Sequence, residues 1–158
     1  CIVLHATNNV LVEGNVAHDT AGHCYALESG AEVGNMFLNN LGAFTRSARV
    51  LMPQFGASGK ETDNTPATFW ITNPRNAFEG NVAAGSAGHG FWMPLADSPR
   101  GPHAQENQIV PSRLPIGHFA GNAAHSINDL SLKVSGYHSR RDESIIGFRA
   151  YLGCKYFE

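Results

Sequence analysis

The chain has 158 residues and a net charge of −2, with 42 % hydrophobic and 15 % charged residues. The charged share lies well below the ~25 % of average globular proteins, and no basic run gives a reason to expect nucleic acid or an anionic membrane as a partner. No apolar stretch approaches the ~20 residues of a membrane span, so the composition favours a single unit with an apolar core.

A Gly-Asn step followed eight positions later by a small or turn-forming residue recurs along the chain. The steps are Gly14-Asn15, Gly34-Asn35, Gly80-Asn81 and Gly121-Asn122, and they begin 20, 46 and 41 residues apart. A short unit that returns to the same turn chemistry indicates coils stacked on one another. Each of the two longer intervals is therefore predicted to hold one coil plus an inserted loop.

Short apolar runs between these turns are typical of strands. They include Val10–Val12, Cys24–Leu27, Met36–Leu38 and Phe91–Met93, each too short for a helix and bounded by turn formers. A unit of roughly 20 residues that holds two or three strands is the size of one turn of a parallel β-helix. The predicted fold is therefore all-β, a solenoid of about four to five coils that takes up residues 1–158 as one segment.

The residue types at the turns have a physical reason. Asparagine and glycine tolerate a left-handed backbone that a bulky residue adopts only at a cost of about 1–2 kcal/mol. In stacked turns, Asn side chains can also hydrogen-bond to the coils above and below. We therefore expect Asn15, Asn35, Asn81 and Asn122 to form one buried or half-buried ladder, with their glycines along one edge of the solenoid.

Cys1 and Cys24 fall at one position of neighbouring coils when CIVLH is aligned with CYALE, which also places Leu4 over Leu27. Adjacent strands lie ~4.8 Å apart, and disulfides accept Cα separations of about 4.4–6.8 Å. The pair is therefore either a disulfide or two reduced thiols that fill a core column. Cys154 is left to pair elsewhere or to stay free.

Three stretches rich in Pro, Gly and polar residues interrupt the coils, at 53–66, 94–115 and 136–142. Their composition predicts loops, and loops longer than ~12–15 residues are usually functional or disordered. The first two leave the coil at a matching place and are expected to cover one face. Arg100 and Arg113 in the second loop are candidates for contact with an acidic polysaccharide, with solvated surface charge as the alternative.

Trp70 and Trp92 are candidates for a sugar-stacking platform, because a flat apolar ring face suits a pyranose ring. Tyr25 and Phe91 each follow a turn glycine by three residues and so occupy one phase of the repeat. Residues of one phase form a column, and large aromatic side chains dominate core burial. The alternative for the aromatic residues is therefore a stack inside the solenoid or under an inserted loop.

Acidic residues and histidines come close together in sequence around the first coil boundary. The set consists of His18, Asp19, His23, Glu28 and Glu32. Clustered carboxylates and imidazoles can act as acid and base in catalysis or bind a divalent cation. No HExxH, CxxC or similarly spaced ligand set occurs, so no cofactor is predicted, and polar turn or surface roles are the alternative. The repeat places His89 at the position of His23, two coils away.

Longer stretches of the sequence resemble a known family. The runs CIVLHATNNVLVEGN, AGHCYALESGAE and GNMFLNNLGAF, and after a loop TFWITNPRNAFEGNVAAGSAGHGFW, are similar to the β-helical region of fibrocystin-like proteins. The same region occurs in the cell-migration-inducing hyaluronan-binding protein and the related transmembrane cell-surface hyaluronidase. The pieces TFW-x-x-NP at Thr68–Pro74 and AAGS-x-x-x-GFW at Ala83–Trp92 are the most specific.

The resemblance implies a right-handed parallel β-helix in a large extracellular or cell-surface protein, with hyaluronan or a similar polysaccharide as the first ligand to test. We expect a structural or adhesive module that contacts glycan or other subunits of an assembly and belongs to a longer polypeptide. The alternative is part of a glycan-cleaving hydrolase. The acidic pair usual after the GHC strand appears here as Glu28-Ser29, and the scattered carboxylates favour the first function.

Overall fold

The structure is a computed structural model that describes residues 1–48, 63–101, 109–138, 145–151 and 155–156. Its strands form three parallel sheets. Sheet A has six strands: β1 (Val3–Leu4), β4 (Tyr25–Leu27), β7 (Ala67–Trp70), β10 (His89–Pro94), β13 (Leu130–Ser135) and β16 (Lys155–Tyr156). Sheet B has five: β2 (Leu11–Glu13), β5 (Met36–Leu38), β8 (Ala77–Glu79), β11 (Phe119–Ala120) and β14 (Ile145–Ile146). Sheet C also has five: β3 (Val16–Ala21), β6 (Leu41–Arg46), β9 (Val82–Ser86), β12 (Ala123–Ile127) and β15 (Arg149–Tyr151).

Each strand pairs in parallel with the strand three elements later in the chain. The chain therefore passes through sheets B, C and A in turn and then returns to sheet B, and we call one such passage a coil. The predicted all-β class is confirmed, and the arrangement is consistent with a parallel β-helix. Outside the sheets, the described residues form a short 3₁₀ helix at Pro111–Arg113. No helix in the described ranges is long and apolar enough to cross a bilayer.

An asparagine ladder runs along the corner between sheets B and C. Asn15, Asn40, Asn81 and Asn122 stack in successive coils, and the Nδ2 of each of the first three donates to the Oδ1 of the next at 3.0 Å. The backbone N–H of each of those three also donates to the same Oδ1, again at 3.0 Å. The last three are at most 1 % exposed. Buried amides that are all paired in this way fix the register between coils.

The predicted single column is wrong for Gly34 and Asn35. These residues precede β5 at the corner between sheets A and B, where Asn35 Nδ2 donates to Asn76 Oδ1 at 3.0 Å in a second ladder. At the corner between sheets B and C, the second coil has Asn39 and Asn40 instead, so the first repeat is 25 residues long rather than 20. Asn39 has φ 54°, close to the φ 66° of Gly14. Because Asn tolerates this left-handed backbone, no glycine marked the position in the sequence.

The core is a set of aromatic rings stacked along the axis of the coils. Tyr25 and Phe69 lie 4.8 Å apart at an interplanar angle of 11°, and Phe69 and Phe91 lie 4.5 Å apart at 7°. Beside them Phe37 stacks on Phe78 at 4.7 Å. Strand pairing places Tyr25 and Phe91 in one column, as their common phase in the repeat predicts. Such ring pairs contribute about 0.5–1.5 kcal/mol each beyond the area that they bury.

Cys1 and Cys24 form a disulfide, with their Cα atoms 4.7 Å apart. The strand register places Leu4 beside Leu27, as the alignment of the two cysteine segments predicts. The bond therefore links the start of the first coil to the second across one strand spacing. Cys154 lies outside the described residues.

The predicted loops fall partly outside the described residues, which exclude 53–62, 102–108 and 139–142. In the described part of the second loop, Pro94 is the last residue of β10 and the 3₁₀ helix follows at Pro111. The Arg100 N–H donates to the Ser29 carbonyl at 2.7 Å, so this segment reaches back to an earlier coil. The loop bounds themselves stay a prediction.

Replacement of Asn81 by Ala is expected to lower the free energy of unfolding by about 3–4 kcal/mol, because it removes four buried hydrogen bonds and leaves the Asn40 N–H without its acceptor. Asn128→Ala is the matched control, since Asn128 is exposed and its side chain donates one bond to Ala87 O. It should cost less than about 1.5 kcal/mol. Urea unfolding measures both, and equal losses would contradict a dominant role for the ladder.

Candidate functional site

The five acidic and histidine candidates do not converge. His18 and Asp19 lie on the exposed face of sheet C, where Asp19 Oδ1 accepts a hydrogen bond from Arg46 Nε at 2.5 Å. His23 lies on the outer side of sheet A, whereas Glu28 and Glu32 lie at the corner between sheets A and B. Among the described residues, no group of three His, Cys, Asp or Glu side chains is arranged to hold a metal ion.

Glu32 is a structural anchor within its corner. The side chain is fully buried, and its Oε1 accepts hydrogen bonds from the Ser29 hydroxyl at 2.7 Å and from the Ala6 N–H at 3.1 Å. Oε2 accepts from the Gly30 N–H at 2.8 Å. A carboxylate whose lone pairs are used in this way holds a tight turn and is not available to a substrate. Glu28 instead pairs with His5 at 2.6 Å near the surface.

Two histidines and two tryptophans form a cluster on the outer side of sheet A. The His23 ring stacks on Trp70 at a centroid distance of 3.9 Å, and the His89 ring meets Trp92 edge-on at 4.6 Å. Strand pairing places His23 and His89 in one column with Ala67 between them, as the repeat predicts. The side chains of both histidines are at most 7 % exposed.

The hydrogen bonds of these histidines require neutral rings. His23 Nδ1 accepts from the Ala67 N–H at 2.9 Å, and His89 Nδ1 accepts from the Leu130 N–H at 3.3 Å. A nitrogen that accepts a hydrogen bond carries no proton, so each ring bears its proton on Nε2. Burial lowers the pKa of His23 to about 3, and the nearby His89 contributes to the shift. Each histidine therefore joins two coils as a neutral acceptor.

The two tryptophans do not present a sugar platform. Trp70 is 6 % exposed because His23 covers it, and Trp92 is half-buried beneath the Lys133 ammonium, which lies 4.7 Å from its ring centroid. A pyranose ring needs an open ring face, and neither residue offers a fully open one. The alternative in which these rings pack into the structure is the arrangement observed.

Three arginines lie instead on neighbouring segments at the corner between sheets A and B, which we call the arginine corner. It consists of the stacked segments Glu28–Val33, Ile71–Asn76 and Val110–His118, together with Arg100. Asn73 joins the first two segments, because its Nδ2 donates to Gly30 O at 2.7 Å and its Oδ1 accepts from the Arg75 N–H at 2.8 Å. Gly30 also packs against Pro111 of the 3₁₀ helix that carries Arg113.

Among the residues that the structure describes, no ion pair balances the charges at the arginine corner. Within the described ranges, the guanidinium groups of Arg75, Arg100 and Arg113 have no carboxylate within ion-pair distance. Arg75 and Arg113 are exposed, whereas Arg100 is half-buried, and burial lowers its pKa. The buried Glu32 carboxylate is already bonded to backbone and hydroxyl donors. A half-buried cation without a counter-ion is favourable for an anionic ligand group.

An open groove of about 410 Å³ lies beside this corner on the side of sheet B. Its lining includes Arg75, Met36, Ala77, Ile116 and His118. The floor is thus mainly apolar, with a guanidinium at one edge. At the other edge of the groove, His118 Nε2 lies 3.1 Å from Glu79 Oε2. Such a groove can accept an elongated ligand that has apolar faces and carries anionic groups.

The sequence indicated two of these three arginines. Arg100 and Arg113 stood out because they lie in a long polar loop, whereas Arg75 directly follows the TFW-x-x-NP motif, which served only to identify the family. A better signal would have been the second ladder, because Asn73 and Asn76 flank Arg75 and fix its backbone at the corner.

Comparisons with known proteins give a consistent result. The profile described as CEMIP beta-helix matches residues 1–132. Fibrocystin-L of Mus musculus is 38 % identical over 125 residues, which is 79 % of this chain and 3 % of that protein. Communication mutant protein F of Dictyostelium discoideum is 38 % identical over 157 residues, 92 % of this chain and 13 % of that protein. Cell surface hyaluronidase of Danio rerio is 35 % identical over 143 residues, 80 % of this chain and 10 % of that protein. The chain thus spans a small part of the curated relatives that it matches.

His23 is expected to make stability depend on pH. Its pKa is about 3 in the folded chain and 6.5 unfolded, so its contribution is fully present above about pH 6.5 and is lost as the pH falls toward 3. Over that window the free energy of unfolding should fall by about 1.4 kcal/mol per pH unit from this group alone. His23→Asn keeps an oxygen acceptor for the Ala67 N–H but does not titrate.

Urea unfolding at several pH values between about 4 and 8 measures the effect. Between about pH 4 and 6, the free energy of unfolding of the variant should change less steeply with pH than that of the parent, by the equivalent of one proton. At about pH 8, where His23 is neutral in both the folded and unfolded states, the two proteins should have the same m-value. Parallel pH profiles for parent and variant would contradict the assignment of a neutral, buried His23.

Proposed function

We propose that this chain, which belongs to the CEMIP beta-helix family, is a rigid module of an extracellular or cell-surface protein that contacts an acidic glycan at its arginine corner. The single observation that carries the proposal is that Arg75, Arg100 and Arg113 lie on neighbouring segments without a carboxylate partner among the described residues, with Arg75 lining a groove. One relative is named Cell surface hyaluronidase, which supports hyaluronan as the first ligand to test.

The rigidity follows from how the coils are joined. Two asparagine ladders, a disulfide and stacked aromatic rings all connect one coil to the next. In a solenoid each coil contacts only its neighbours, so these links set the stiffness of the whole module. A disulfide also fits an oxidising compartment, which supports an extracellular or cell-surface location.

We further propose that the solenoid is right-handed and comprises four to five coils. Crossover connections between parallel strands of one sheet are right-handed in about 98 % of cases, because right-twisted strands pack back onto the sheet in that sense. The family resemblance supports the same hand. Other subunits of an assembly, and further parts of a longer polypeptide, are the additional partners that such a module would contact.

A glycan-cleaving hydrolase remains the second function to test. One relative carries that activity in its name, so the family membership favours asking the question. Glycoside hydrolysis by the common mechanism needs two carboxyl groups about 5–10 Å apart on either side of the bond. Asp19 is paired with Arg46 on sheet C, and the carboxylate of Glu32 is hydrogen-bonded within its own turn. Neither residue is therefore available as a free acid or base.

Binding to hyaluronan oligosaccharides should depend on the arginine corner. Replacement of Arg75, Arg100 or Arg113 by Ala is expected to weaken binding about tenfold each, because a charge-assisted hydrogen bond is lost. Arg46→Ala is the matched control, since Arg46 is exposed on sheet C and pairs with Asp19. It should leave the affinity unchanged. Isothermal titration calorimetry at low and high salt measures the effect, which salt should weaken.

Two results would contradict the proposal. Binding that is equally weakened by Arg46→Ala would indicate nonspecific charge attraction, and absence of binding to carboxylated and sulfated glycans alike would indicate a protein-contacting module instead. Incubation with polymeric hyaluronan in the same experiment tests the second function. Cleavage that Asp19→Asn abolishes without a change in thermal unfolding would establish a hydrolase and overturn the structural role.

A further inference from the structure

The groove beside the arginine corner is lined by side chains of two kinds. Arg75 lies at one edge and His118 at the other, and the floor between them includes Met36, Ala77 and Ile116. Met36 is 44 % exposed, and Ala77 and Ile116 are half-buried, so a ligand can reach all three. The volume of about 410 Å³ falls within the ~300–1,000 Å³ of small-ligand sites. The groove therefore has an apolar middle between two polar edges.

The polar atoms along the floor of the groove are already used by the fold. The backbone N–H groups of Met36, Ala77 and Gly117 donate to carbonyls of neighbouring coils at 2.9, 2.8 and 2.7 Å. The side chains of Asn35 and Asn76, which also line the groove, bond to each other and to backbone carbonyls within the second ladder. Because groups paired in this way offer little to a ligand, the floor acts as an apolar surface.

The kind of apolar side chain on the floor decides which part of a sugar fits there. The flat C–H face of a pyranose ring suits a flat aromatic ring, and none of the described residues that line the groove is Phe, Tyr or Trp. Met36 is a flexible thioether that fills irregular spaces, and Ile116 is a branched aliphatic side chain. Such a surface fits a small, compact apolar group. The methyl of an acetyl substituent is a group of this kind on an otherwise polar sugar.

We propose that the groove binds an acidic sugar unit that carries an acetyl substituent. The inference rests on the proposed function, because it takes as given that the arginine corner contacts an acidic glycan. The Arg75 guanidinium binds the carboxylate of the glycan, and the acetyl methyl contacts Met36, Ala77 and Ile116. Burial of one methyl-sized group against aliphatic side chains raises affinity by about fourfold. The floor thus distinguishes acidic glycans of equal charge by their acetyl groups.

His118 and Glu79 supply the polar groups of the other edge. The two side chains hold each other, with 3.1 Å between His118 Nε2 and Glu79 Oε2. His118 directly precedes β11, and the pairing of β11 with β8 and of β8 with β5 places His118, Ala77 and Met36 in one column. Two strand spacings, about 10 Å, separate the ends of that column. Because a sugar hydroxyl both donates and accepts hydrogen bonds, an imidazole and a carboxylate suit the hydroxyl groups beside the acetylated position.

Isothermal titration calorimetry of the full chain with two pairs of matched ligands tests the proposal. The first pair is a hyaluronan hexasaccharide and its derivative in which N-formyl replaces each N-acetyl group, so that charge and amide are kept and only the methyl is lost. The second pair is oligogalacturonate with and without O-acetyl esters, which asks whether an ester serves in place of an amide. The acetylated member is expected to bind about fourfold more tightly in at least one pair.

Met36→Ala shortens the floor of the groove and should reduce this acetyl preference to less than about twofold. Leu11→Ala is the matched control, because Leu11 pairs with Met36 in the same outward column, is 56 % exposed and does not line the groove. It should leave the preference unchanged. Both side chains are largely exposed, so thermal unfolding of the two variants should match that of the parent.

The outcomes separate this inference from the proposed function. Equal affinities within both ligand pairs, with binding that Arg75→Ala still weakens, would overturn the acetyl contact and leave the glycan contact in place. An acetyl preference that Met36→Ala does not lower, or that Leu11→Ala lowers as much, would also overturn it. Absence of binding to all four ligands would contradict the proposed function itself, and the inference with it.

Discussion

The structure depends on the hydrogen-bonded register of its corners. At the corner between sheets B and C, the Nδ2 of Asn40 and that of Asn81 each donate to the Oδ1 of the next Asn and also to a backbone carbonyl of the coil before, as Asn81 does to Phe37 O at 2.8 Å. A buried amide that lost its partner would cost about 1–3 kcal/mol. A shift of one coil by one residue would break several such bonds together and also turn each strand's core residues outward. The ladders thus hold the aromatic stack in place.

Once the register is fixed, the three sheets and their corners acquire different surfaces. The outer side of sheet A is occupied by neutral histidines packed on tryptophans, which join coils and leave little room for a ligand. The arginine corner carries unbalanced positive charge beside a groove. Sheet C instead exposes the Asp19–Arg46 pair. The glycan contact that we propose therefore uses the one corner where the described cations lack a carboxylate partner.

Much of the fold could be predicted, whereas the site could be predicted only in part. The repeat, the strands and the Tyr25–Phe91 column follow from periodicity, because stacked coils repeat their turn and core chemistry. The prediction that all four Gly-Asn steps lie in one column was wrong, because Asn39 has the left-handed backbone that glycine has in the other coils. The predicted sugar platform at Trp70 was wrong because His23 stacks on its ring, a contact that arises only in the folded chain. Arg75 was missed because its turn motif gave no sign of the corner to which it belongs.

The sequence by itself determined that short strands and left-handed turns must recur, since these are local properties of Gly, Asn and alternating apolar residues. It also placed the two cysteines that meet at one strand spacing. Only the tertiary structure decided which corner each turn occupies, which aromatic rings stay exposed and which cations lack a partner. Those properties depend on contacts between residues about 25 and 41 positions apart. They arise when coils of unequal length are brought into one register. Local sequence patterns do not encode contacts over such long separations in sequence.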